Sequence, residues 1–154
     1  MSSFDPEKLA RLATEYCLPV FKGKKIGIMA NVVATPLLQQ LYKHVLLRGG
    51  HPVMQLSIDG PDELLFAHAN EEQLTFVSPF TKFFMTEVDG IISVFAETNL
   101  KSLSSVPAER IRKRRASQRE VYDLYSKHLK IGGLAIIPYP TLAFAQEAEM
   151  SLQS

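Results

Sequence analysis

The side chains with which this sequence could hold a metal or move a proton are four histidines, one cysteine and 16 carboxylates. A metal site needs several of these to converge. His44, His51, His68 and His128 include no His-x-x-x-His pair. Each lies on or beside an apolar segment, where a surface or hydrogen-bonded core histidine is the expected role. Cys17 falls on the apolar face of a first helix, which predicts packing rather than reactivity. Glu147 and Glu149 are two apart, so a helix would not place them on one face. No Ser-His-Asp or Cys-His arrangement is suggested by spacing. The residues by themselves assign no catalytic side chain and no metal ligand.

A second feature is charge. Residues 110 to 119 hold six of the 17 basic residues and no acid. The rest of the chain then has 11 basic against 16 acidic residues, a balance of −5. Arg110, Lys113 and Arg114 share one helical face, a candidate basic contact face for phosphate or an acidic partner. The run has no aromatic until Tyr122, so base stacking is poorly supported and nucleic acid is not favoured as a partner. A solvated helix face, or one pairing with acidic residues in a larger assembly, is the better reading.

The 154 residues fit one domain, with 46% apolar and 21% charged residues. A domain of this size buries roughly 70% of its unfolded surface and needs no staples. One cysteine excludes an internal disulfide framework and a multi-cysteine zinc site. No apolar run approaches the ~20 residues of a membrane span, so no membrane role is expected. The start, Met1 to Pro6, shows no basic stretch leading into an apolar one, and a reducing, cytoplasmic setting is expected.

These side chains must be positioned by alternating elements. Asp5-Pro6-Glu7 reads as a helix start, followed by Leu9, Leu12, Ala13, Tyr16 and Cys17 as its apolar face. Ile26 to Ala30 reads as a strand. Thr35-Pro36 opens a helix with Leu37, Leu38, Leu41, Val45 and Leu46 inward and Gly49-Gly50 as its stop. Pro52 to Ile58 is a second strand. Residues 61 to 88 read as broken helix, with fresh starts at Gly60-Pro61, Asn70-Glu71-Glu72 and Ser78-Pro79. Gly90 to Phe95 is the clearest strand. Pro107 to Leu129 is helical, with Val121, Leu124, Tyr125, His128 and Leu129 on one face. Ser117-x-x-Glu120 has the form of a capping box, which would divide it in two. Leu134 to Ile137 is a fourth strand.

Continuous apolar strands alternating with helices predict an α/β fold, with a mostly parallel sheet covered on both faces. The expected architecture is a Rossmann-like or flavodoxin-like three-layer domain of about four strands. Such sheets bind ligands beyond the carboxyl ends of their strands. The candidate cleft or interdomain surface there comprises Asn31, Asp59, Glu97, Asn99, Tyr139 and Thr141. The same polarity also suits loops that merely cap strands and helices. The turn after the first strand, Asn31 to Pro36, contains no glycine, so a dinucleotide site is weakly supported.

Tyr139-Pro140-Thr141, Ala145-Gln146-Glu147-Ala148 and Met150-Ser151 resemble a segment of the thermophilic metallo-aminopeptidases. That is the aminopeptidase T, or aminopeptidase II, family, which is leucyl aminopeptidase-like. Phe4-Asp5-Pro6-Glu7-Lys8-Leu9-Ala10 resembles their opening helix. Leu46 to Gly50 resembles the end of their second helix. Ala96-Glu97-Thr98-Asn99, Leu103 and Pro107 to Arg110 resemble their third strand and the loop and helix after it.

The resemblance implies residues 1–140 as an N-terminal α/β domain and 141–154 as the start of a helix leading into an absent C-terminal catalytic domain. It implies no cofactor in this chain. In the complete enzyme it implies two divalent metals, zinc or cobalt, a peptide substrate, release of N-terminal residues, and a homodimer. These residues would then form a scaffold and a wall of the active-site cavity, inactive alone. The alternatives are a stand-alone small-ligand or nucleotide-binding domain, or an interaction module using residues 110–119.

Overall fold

The structure, a computed structural model, describes residues 4–96 and 103–140. Four strands make one parallel sheet: β1 (Lys25–Asn31), β2 (His51–Ser57), β3 (Gly90–Phe95) and β4 (Leu134–Pro138). Their order is β2-β1-β3-β4. This is the flavodoxin-like order rather than the Rossmann order, which runs outward in the sequence 3-2-1-4. Register is fixed by residues such as Ile28, which lies opposite both Met54 and Ile92.

Side chains alternate between the two faces of the sheet. Ile26, Ile28, Ala30, Ile92, Val94, Ala135 and Ile137 belong to the larger core, with Leu37, Leu38, Leu41 and Val45 of α2 (Thr35–Leu47). Ala10 of α1 (Pro6–Leu12), Ala13, Leu18, Val20 and Ala34 complete it. The opposite face holds a smaller core of Met85, Val88 and Ile91. It is closed by Phe84, Val121, Leu124 and Tyr125 from α5 (Pro79–Glu87) and α7 (Arg119–Lys130).

Helices cover both faces of the sheet, as expected, and the cover on this second side is thinner over the edge strands. Val53 and Ile136, which project there from the edge strands, are 42% and 62% exposed. The helices packed on this side, α5 and α7, make their sheet contacts with β1 and β4 and leave these two side chains only partly covered. On this side the middle of the sheet is buried and the edge positions are more open, whereas on the other side Ala135 and Ile137 of edge strand β4 are buried.

The helix starts reflect local chemistry. The Asp5 carboxylate accepts from the Glu7 and Lys8 amides at the start of α1. Residues 61 to 88 are three helices: α3 (Pro61–His68), α4 (Glu71–Leu74) and α5. They begin at the three expected starts. Asn70 and Gln73 form a reciprocal capping box.

The basic stretch divides into α6 (Ala108–Ser117) and α7, as a capping box would require, but by another means. The Ser117 hydroxyl turns back to donate to the Arg114 carbonyl. No side chain caps α7.

Three apolar stripes are corrected. Leu12, Tyr16 and Cys17 are exposed, while Ala10, Ala13 and Thr14 are buried. Here the chain leaves α1 through a wider turn, Ala13–Cys17, in which the Leu18 amide bonds five residues back to Ala13. That turn changes the angular spacing on which the expected face depended. Thr14 tolerates burial because its hydroxyl donates to the Ala10 carbonyl at 3.0 Å. Leu46 is exposed and His44 takes the inward place beside Val45. Leu129 is likewise exposed, because α7 ends on the thinly covered side.

Candidate functional site

The site expected from the topology is the crevice beyond the carboxyl ends of β1 and β3. There the connections from adjacent strands diverge to opposite faces. Asn31 ends β1 at this point. Its amide nitrogen donates to Asp59 Oδ1 at 2.7 Å, and its carbonyl oxygen accepts from the Val33 amide at 2.9 Å. Both polar atoms are therefore engaged. The second bond caps the short turn Val32–Ala34 that leads into α2. Asn31 and Asp59 come together, across the ends of β1 and β2, in a pair suited to holding two loops in register.

Tyr139 lies just past β4. Its amide donates to the Phe95 carbonyl at 2.8 Å. Its ring meets Phe4 edge-on, with centroids 5.2 Å apart. It is half-buried against the larger core and ties the start of the described chain to the end of the sheet. Glu97, Asn99 and Thr141 lie outside the described residues, as does the segment 141–154.

The histidines are dispersed. His51 and His68 are exposed. His128 is buried, and its Nε2 is 2.7 Å from the Met85 carbonyl. A carbonyl can only accept, so this nitrogen carries the proton. His44 is buried with Nε2 3.7 Å from a Glu7 carboxylate oxygen. Among the described residues, no three His, Cys, Asp or Glu side chains converge as a metal would require. The described residues thus do not fit a catalytic metal pair, and no hydrolytic step is assigned to them. No described helix is long and apolar enough to cross a membrane.

The basic run is divided by the helix surface into two faces. Arg110, Lys113 and Arg114 share a face, and that face turns toward α3 and α4. Arg110 donates to the Phe66 and Ala69 carbonyls at 3.1 and 3.0 Å. Arg114 donates to the Leu74 and Phe76 carbonyls, both at 3.0 Å. Lys113 pairs with Glu71 at 3.3 Å. The two arginines satisfy carbonyls left over at helix ends, where a cation also meets the negative end of the dipole.

The feature that sequence reasoning missed is on the other face. A groove of about 550 Å³ lies over the α6–α7 break, lined by Arg115, Ala116, Gln118, Arg119 and Tyr122. The spacing of Arg115, Arg119 and Tyr122, at steps of four and three, is the signal that would have found it.

No curated protein matches the chain. Among solved structures the fold is similar to that of wild-type AmpT from Thermus thermophilus, with a TM-score of 0.74 and 19% sequence identity. The match covers 88% of this chain and 36% of that one, so this chain spans well under half of the AmpT length. The family model described as thermophilic metalloprotease (M29) matches residues 4–154, and the chain belongs to that family.

Proposed function

We propose that this chain is the N-terminal, non-catalytic α/β domain of a metal-dependent aminopeptidase that releases N-terminal residues from peptides. It acts as scaffold and as a wall of the active-site cavity, and is inactive alone. The observation that carries this reading is the metalloprotease family match over residues 4–154, in a chain that spans 36% of the AmpT length. The hydrolytic centre, with zinc or cobalt polarising the peptide and activating water, belongs in this reading to a C-terminal domain. Asn31, Asp59 and Tyr139, with Glu97, Asn99 and Thr141, supply the surface toward that domain. The complete enzyme is proposed to be a cytoplasmic homodimer, a setting consistent with the exposed thiol of Cys17.

The test is metal stoichiometry. Dialysed protein is titrated calorimetrically with Zn²⁺ and Co²⁺, as this chain and as the longer parent. Saturable binding by the parent alone is the expected result. Saturable, paired metal binding by this chain would place the centre here and overturn the proposal.

A further inference from the structure

Arg112, Arg115 and Arg119 are exposed and, among the described residues, have no ion pair or hydrogen-bond acceptor for their guanidinium groups. The basic residues of the same run that face inward are all engaged. The acids nearest the outward face do not neutralise it. Glu120 is drawn to Lys82 of α5 at 3.5 Å, and Glu109 lies 3.9 Å from Lys113. Asp123 lies one turn from Arg119 but makes no ion pair with it.

Arg115 and Arg119 flank the groove over the helix break, and Tyr122, 67% exposed, forms its end. The lining is mostly apolar, supplied by Ala116, the Tyr122 ring and the methylene stems of the arginines. Gln118, at the break itself, donates to the Phe76 carbonyl at 2.9 Å.

We propose that this groove binds a short acidic peptide segment of a partner protein, with an apolar side chain in the groove and flanking carboxylates on Arg115 and Arg119. Planar guanidinium groups pair with carboxylates through two parallel bonds, and stems and ring supply an apolar seat between them. Charge complementarity favours a compact acidic ligand over an extended polyanion. The unpaired guanidinium groups at the groove are two, Arg115 and Arg119, enough for a short acidic segment but a small footprint for a nucleic acid strand. Tyr122 alone offers little for successive bases to stack upon. This inference is independent of the proposed peptidase role, since it concerns a face that engages neither the strand ends nor a metal.

The experiment is fluorescence anisotropy on the full chain. The probe is a labelled peptide with one phenylalanine between glutamates, and a labelled single-stranded DNA of similar charge is measured beside it. Saturable peptide binding that weakens at least about tenfold in R115Q/R119Q, and equally when Ala116→Glu puts a carboxylate into the groove, is the expected result. Both variants alter exposed positions, and an unchanged urea midpoint verifies their folding. Absence of saturable peptide binding, or binding unaffected by either variant, overturns the proposal. Tighter binding of the DNA than of the peptide also overturns it, in favour of a nucleic-acid surface.

Discussion

The guanidinium of Arg114 reaches two carbonyls, Leu74 and Phe76, 40 and 38 residues earlier in the chain. Hydrogen bonds from a charged donor are worth more than neutral ones, and their loss takes the Arg114 partner from the part-buried Leu74 carbonyl, while Phe76 keeps its bond from Gln118. Arg114→Ala is therefore expected to lower stability by about 2 kcal/mol in urea denaturation. Arg115→Ala, on the outward face, is expected to change it by less than about 0.5 kcal/mol. Equal effects of the two would contradict the division of the basic run into two faces. Gly27 makes the same kind of point for packing. A Cβ there would lie 2.5 Å from the Phe84 ring, which crosses the sheet at that position. Gly27→Ala is expected to cost about 1–3 kcal/mol by overpacking, seen as a lowered melting temperature. An unchanged melting temperature would show that the Phe84 ring swings aside freely. Neither Arg114 nor Gln118 announces its partner in the sequence, because both act on backbone atoms. A carbonyl has no residue-type signature to be read.

At the scale of elements, the helix starts and the strands are legible because their signals are local. Asp5, Asn70 and Ser78 each cap the helix they precede, and a proline at the first helical position is pre-set for the first turn. The α4 helix is the sharpest case, with four residues stabilised by the Asn70–Gln73 box. Asn70→Ala is expected to lower stability by about 1 kcal/mol, and to speed hydrogen exchange at the Gln73 and Thr75 amides more than in the sheet. Uniform acceleration across the molecule would argue against a local cap. Less legible is which apolar residues face inward, because that depends on neighbours. The stripe through Tyr16 and Cys17 fails at a widened turn. Leu46 and Leu129 are exposed, each directly after a buried residue of its helix, Val45 and His128. The candidate cleft is legible in position, at the strand ends, but not in use. Asn31 is committed to Asp59 and to capping, which composition could not reveal.

For the whole molecule, the parallel sheet in the order β2-β1-β3-β4 accounts for a domain with one deep core and one shallow one. The alternation of elements makes that architecture readable from sequence, and the family resemblance narrows it to the metalloproteases. The incomplete cover over Val53 and Ile136 was not readable, since it depends on where two helices settle across the sheet. The proposed function assigns catalysis to a longer protein of which this chain would be one domain. The decisive assay is release of N-terminal amino acids from a peptide by this chain and by its longer parent, each with added Co²⁺ or Zn²⁺. Metal-dependent release by the parent and none by this chain is the expected outcome. Metal-stimulated release by this chain, at a rate comparable to the parent, would contradict it.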